Sequence, residues 1–198
     1  MSHFGAIQGG ISLFSVEWQR LDVMDHRLQE IIDHFEIRKV LSIYCHGCDR
    51  GDAELMGSVY AKAGSYDDHG IIKAPGPEFA RAISAIIKDT TSVISHMLGQ
   101  SLIETSDDEA RAETFFLATI AANGNDDEPR VSLLSGRFVD QLTREGESWR
   151  ITNRTAVHDV SMTLRVEEDF LATNELVRGS RDASDLGAAL LKLAHSRP

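Results

Sequence analysis

Val93-Ile-Ser-His-Met-Leu-Gly-Gln-Ser-Leu-Ile-Glu104 is followed by Ser106-Asp-Asp108, and then by a second apolar stretch from Ala110 to Ala122. Two long runs rich in β-branched and aromatic residues, parted by a polar triplet, read as two strands joined by a turn. The pattern continues downstream. A polar loop, Asn123 to Pro129, leads to a third strand from Val131 to Arg144. The tight turn Glu145-Gly146-Glu147 leads to a fourth, from Trp149 to Met162. Long strands with short links make an antiparallel meander.

Upstream the period changes. Leu21, Met24, Leu28, Ile31, Ile32 and Phe35 recur at helical spacing, followed by Val40, Leu41, Ile43 and Tyr44. This predicts a helix from about Glu17 to Asp49, with a break expected near Asp33-His34. Gly51 suits the left-handed residue that closes a helix, and Asp52 suits the cap of a short one running to Tyr60. Ala63 to Gly70 reads as a short strand or turn. Pro77 can open a further helix to Lys88, with Phe79, Ala82, Ile83, Ile86 and Ile87 on its apolar face. Helices first and strands second is an α+β arrangement. The expectation is a curved, mainly antiparallel sheet with the N-terminal helices packed across its concave face. A cup of this kind holds ligands.

Three regions follow: an irregular glycine-bearing arm over 1–15, the cup over 16–165, and an extension over 166–198 with a terminal helix from Ser184 to His195. The 20 Lys+Arg against 31 Asp+Glu leave a formal charge of −11, which argues against a nucleic-acid binder. No apolar run approaches the roughly 20 residues of a membrane span. Met1 to Leu13 lacks the pattern of a signal peptide, so a cytoplasmic location is expected. Cys45 and Cys48 form a C-x-x-C at a helix end rather than at the helix N-terminus a redox pair prefers, and no second pair supports zinc.

Candidate chemistry starts at His96. Alternation places Ile94, His96, Leu98, Gln100 and Leu102 on one face of their strand. His96 is then either a core histidine bonded to a carbonyl or a general acid/base, for which imidazole is suited. Asp49, in the last turn of the long helix, is either an exposed carboxylate screened by Arg50 or the partner of an imidazole. Arg154 is expected to share a face with Arg150, Thr152, Ala156 and His158, as a surface ion pair or as an anion-binding group inside the cup. His158 and Asp159 point to opposite faces and do not form a pair. Asp67-Asp68-His69 lacks a further ligand group at recognisable spacing, so no metal is expected.

Together these residues resemble a family. Tyr44 and Asp49 at a helix end, Asp49 through Leu55, Asp67-Asp-His-Gly70, His96 on the first long strand, and the hairpin from Gly136–Asp140 to Trp149–Ile151 are similar to the SnoaL-like branch of the nuclear-transport-factor-2-like superfamily. The likeness spans roughly Glu30 to Met162 and implies a cone-shaped α+β barrel. Within the superfamily it resembles the acid/base lyases: scytalone dehydratase, bile-acid dehydratase and hexachlorocyclohexane dehydrochlorinase. That resemblance implies a cofactor-independent lyase or isomerase acting on a hydrophobic cyclic molecule, with Asp49 and His96 as a dyad. Tyr44 would donate a hydrogen bond, Arg154 would stabilise the departing group, and Tyr66, Ile94, Leu98 and Phe116 would contact substrate. The dehydrochlorinase carries a Lys at the position of Tyr44, a departure from its pattern. The superfamily also implies a homodimer or homotrimer. It holds a non-catalytic alternative as well: a ligand carrier or an assembly subunit like the small subunit of ring-hydroxylating dioxygenases.

Overall fold

A computed structural model describes residues 13–122, 130–166, 174–182 and 184–191. The first helix, α1, runs unbroken from Leu13 to Arg50. No stop occurs at Asp33-His34, because Asp33 is not a helix-breaking polar residue facing water. Its carboxylate is buried and accepts from Gln29 Nε2 (3.0 Å), Arg144 Nη2 (2.9 Å) and Trp149 Nε1 (3.1 Å), tying the helix to the sheet. Beyond it, Ile37, Val40, Leu41, Tyr44, Cys45 and Cys48 bury one stripe at helical spacing. Before it, Met24, Leu28, Ile31 and Ile32 are exposed, and so, two residues past it, is Phe35, by 67%.

Gly51, at φ 63°, closes α1. Its N–H donates to the Cys48 carbonyl (3.0 Å), and the Asp52 N–H donates to that of Gly47 (2.8 Å). Asp52 then caps α2 (Ala53–Gly57), accepting from the Glu54 and Leu55 N–H groups. Two short strands follow, β1 (Tyr66–Asp68) and β2 (Lys73–Pro75), then α3 (Gly76–Thr90) with Pro77 in its first turn. The meander is β3 (Thr91–Ser106), β4 (Glu109–Ala122), β5 (Arg130–Glu145) and β6 (Ser148–Arg165). A short α4 (Leu186–Leu191) falls within the expected terminal helix. The polar loop over 123–129, most of the N-terminal arm and the end of the terminal helix lie outside the described residues.

The strands form one open mixed sheet in the order β2-β1-β6-β5-β4-β3. Neighbours are antiparallel except β1 and β6, which run parallel. The cone fold is therefore present, and the chain adds two strands beyond the meander. Cys45 and Cys48 are buried free thiols; burial pushes Cys45 up to about 12 and Cys48 higher still, so neither is a ready thiolate. Among the described residues no helix is long and apolar enough to cross a membrane.

Bulges reset which residues face inward. On β3, Leu98 pairs with Phe116 but Ser101 with Thr114, so β3 holds one extra residue at Gly99-Gln100. Leu102 therefore turns outward and Ser101 and Ile103 turn in, against simple alternation from His96. Arg38 of α1 is fastened at this bulge, donating to the Gly99 carbonyl (3.0 Å) and Ser101 Oγ (2.5 Å). On β6 an extra residue at Thr152 puts Trp149 and Ile151, not Arg150 and Thr152, on the buried side with Arg154 and Ala156. A second extra residue, Asp159, lies where Ser135 and Gly136 pair with Val160 and His158.

Candidate active site

The end of α1 and the middle of β3 meet at Asp49 and His96. His96 Nδ1 lies 2.6 Å from Asp49 Oδ1, and the His96 backbone N–H donates to Asp49 Oδ2 at 3.0 Å. One carboxylate thus grips one residue twice. With the carboxylate as acceptor, a neutral imidazole is assigned its proton on Nδ1 and its lone pair on Nε2. Nε2 has no hydrogen-bond partner among the described residues. Phe116 stands beside the imidazole, with ring centroids 6.0 Å apart. Ile94 and Leu98 flank His96 on its face of β3 and pack against the core.

Tyr44 points elsewhere. Positions five apart on a helix differ by about 140° in azimuth, so Tyr44 and Asp49 leave α1 in different directions. The Tyr44 hydroxyl lies 3.1 Å from His69 Nε2 and donates to Asp67 Oδ2 at 3.3 Å. Tyr60 donates a short hydrogen bond to the same oxygen. His69 Nε2 is 3.0 Å from Asp67 Oδ1, without the alignment of a hydrogen bond. Burial pushes both tyrosines well above their ordinary range, which keeps them protonated as donors. Asp67 is thus a buried acceptor for two tyrosines beside an imidazole. Asp68 turns outward to Lys73 (2.9 Å), so the two aspartates do not converge on a common point.

Phe138 and Phe116 join the two groups. The rings stack at 4.5 Å, and Phe138 also contacts Tyr44 and His69. His158, 6.2 Å from His69 and 6.0 Å from Phe116 between centroids, adds a third imidazole. Burial and then the neighbouring His69 lower its basicity. Gly136 makes this closeness possible. A Cβ there would sit 2.2 Å from the Val157 carbonyl oxygen and 3.1 Å from Phe116 Cζ.

Arg154 is fully enclosed rather than on the surface. Nε and Nη2 form a bidentate pair with Asp140 at 2.7 and 2.8 Å, and the guanidinium lies 4.0 Å from the Tyr44 ring centroid and 4.2 Å from that of Phe138. Burial alone would lower the Arg154 pKa; Asp140 more than reverses this and holds it protonated. Its Nη1 has no hydrogen-bond partner among the described residues. Tyr66 is 43% exposed and alternates with the buried Asp67, so it faces away from the Tyr44–His69 group.

Sequence reasoning therefore missed Tyr60, His69 and Asp140 as members of this interior, beside which the exposed His158 lies. Asp67-Asp68-His69 held the signal, but a sequence reading weighs it only as a metal cluster and sets it aside, and only strand alternation separates Asp67 from Asp68. Tyr60 and Asp140 carry no sequence signal of their own.

The sequence matches the SnoaL-like domain profile over residues 29–155. A search of curated protein sequences finds no match. Solved structures share the fold. A provisionally named scytalone dehydratase from Novosphingobium aromaticivorans is 15% identical, with a TM-score of 0.61 over 70% of this chain and 91% of that one. A hexachlorocyclohexane dehydrochlorinase from Novosphingobium barchaimii is 15% identical, with a TM-score of 0.62 over 70% and 94%. A provisionally named aromatic ring hydroxylase from N. aromaticivorans is 18% identical, with a TM-score of 0.58 over 69% and 94%. At these identities the likeness is one of fold.

Proposed function

The chain belongs to the SnoaL-like domain family, and on that premise we propose that it is a cofactor-independent acid/base lyase or isomerase, dehydratase-like, acting on a hydrophobic cyclic small molecule. The observation that carries the reading is the double grip of Asp49 on His96. A carboxylate fixing Nδ1–H leaves Nε2 as the base and stabilises the imidazolium that forms. Nε2 takes a proton from carbon next to a carbonyl or a leaving group. For elimination the C–H electron pair becomes the double bond and the leaving oxygen departs with a proton, as water. On substrate binding Tyr44 turns its single O–H from Asp67 to that oxygen, and His69, beside it, supplies the proton. Phe116, Ile94 and Leu98 form the apolar wall. Arg154 acts as a positioning residue in this scheme: enclosed by Asp140, Tyr44 and Phe138, it holds the Tyr44 ring from behind.

Assistance of this kind typically contributes ~10²–10⁴ in rate. A thermal-shift screen of cyclic alcohols and ketones identifies ligands of the native state. On a hit that turns over, His96→Ala and Asp49→Asn should each remove most of the rate, and the double variant should be hardly slower, because members of one unit are not additive. Wild-type rates in either single variant would refute the reading. The non-catalytic alternative, an assembly subunit, draws on the exposed apolar residues of the sheet, Met97, Leu102, Val160 and Met162 among them, and on the fold shared with the ring-hydroxylase-type protein. Assembly as a homodimer or homotrimer fits both readings.

A further inference from the structure

The segment after β6 returns to the far side of the dyad. Arg181 inserts its guanidinium between three elements. Nε donates to the Asp49 carbonyl at the end of α1 (3.3 Å) and Nη1 to the Ile87 carbonyl of α3 (3.2 Å). Nη1 and Nη2 reach the Thr91 carbonyl (2.6 Å) and hydroxyl (2.7 Å) at the start of β3. Next to it Arg50 pairs with buried Asp185 (2.5 Å) and donates to the Ser180 carbonyl (2.7 Å), while Asp185 Oδ2 accepts from the Ser180 N–H (3.1 Å). Between segment and core lies a cavity of about 380 Å³, whose walls include His46, Asp49, Ser95, Val177 and Arg181.

This arrangement does two physical things. A cation on the last carbonyls of α1 satisfies acceptors the helix leaves open and offsets the negative end of its dipole, next to which the Asp49 side chain sits. Arg181 also ties the residues that lead into Asp49 and into β3 to one planar group. The two halves of the dyad come from those two elements. We infer that residues 174–182, tied down by Asp185, form a strap that supports the dyad, with Arg181 as a positioning residue holding the Asp49 end of α1 against the start of β3. The strap begins after the SnoaL-like match ends at residue 155, so this support is an addition to the family domain. The charged and titratable groups around the dyad are Asp49 and His46 from α1, Arg50 with its partner Asp185, and Arg181 and Arg178 from the strap. The inference rests on the dyad of the proposed function, but its test does not need a substrate.

The test is the nuclear magnetic resonance signal of the His96 Nδ1–H in the ¹⁵N-labelled full chain, assigned by its loss in His96→Gln. A proton donated to a carboxylate at 2.6 Å should exchange slowly with water. In Arg181→Gln its exchange should speed up at least about tenfold, the smallest effect expected when a hydrogen bond to a charged group is lost. Arg181→Lys, which keeps the charge but not the fork, should fall in between. Asp185→Asn, which loosens Arg50 and leaves Arg181 in place, should move exchange in the same direction and by less. Unchanged exchange in folded Arg181→Gln overturns the strap while leaving the lyase reading intact. If that variant does not fold, unchanged exchange in Asp185→Asn overturns it instead. A wild-type chain without a protected signal overturns the dyad, and both readings with it.

Discussion

Asp140→Asn tests the centre of the cone, because the change keeps shape and removes charge. Asp140 and Arg154 are both fully enclosed, and the pair is bidentate at 2.7 and 2.8 Å. With Asn in place, one carboxylate oxygen becomes an NH₂ group facing a guanidinium N–H, donor against donor. The guanidinium, whose Nη1 has no hydrogen-bond partner among the described residues, is left a buried cation without a counter-ion. Breaking a buried pair from one side costs about 3–5 kcal/mol. The ring faces of Tyr44 and Phe138 are present in both chains and cancel from the difference. A loss of about 3–5 kcal/mol corresponds to a drop in Tm of roughly 6–20 °C for a chain of this size. Urea melts at neutral pH measure it directly. The control is Asp140→Leu with Arg154→Met, which removes both charges and should lie within about 1 kcal/mol of wild type or above it. An Asp140→Asn chain as stable as wild type, or a double variant worse than the single, would refute the view that Arg154 is a buried cation held by Asp140.

Alkaline pH should weaken the fold. Cys45 rises from an ordinary 9.0 to about 12 in the native state, so above 9.0 the unfolded chain gives up its proton first and stability falls as pH climbs through that window. Cys48, Tyr44 and Tyr60, all raised by burial, act in the same sense. Urea midpoints in reductant at pH 8 and pH 10 check this, and equal midpoints would contradict it. Gly136→Ala should lower stability by about 1–3 kcal/mol through overpacking and alter the environments of Phe116 and His158, visible in aromatic resonances; an unperturbed spectrum would show that the crossing is loose. Ile31→Glu with Phe35→Glu should reduce the mass seen by light scattering if the exposed half of α1 serves assembly, and a wild-type chain that is monomeric at micromolar concentration would remove the premise.

Local chemistry was legible wherever one short stretch determines the outcome. The meander followed from strand composition and the turns at Ser106–Asp108 and Glu145–Glu147, and the closure of α1 followed from Gly51 and Asp52, because each depends on backbone preferences within a few residues. His96 and Asp49 were nameable as candidates by strand parity and position in a helix, and their pairing was implied by resemblance. Their contact was decided by tertiary structure, since it requires α1 to cross the sheet at one height. The bulges at Gly99-Gln100, Thr152 and Asp159 carry no strong local mark, yet each reverses the faces beyond it, so the parity of Leu102, Arg150 and Thr152 was settled only by pairing with neighbouring strands. Asp33 shows the same limit: a polar residue in a helical pattern reads as a break until partners from β5 and β6 arrive to satisfy it. Asp67 and His69 meet Tyr44 from more than twenty residues away, and Arg181 meets Asp49 from 132. Sequence records which donors and acceptors exist, and the packing of elements decides which of them are taken out of water together.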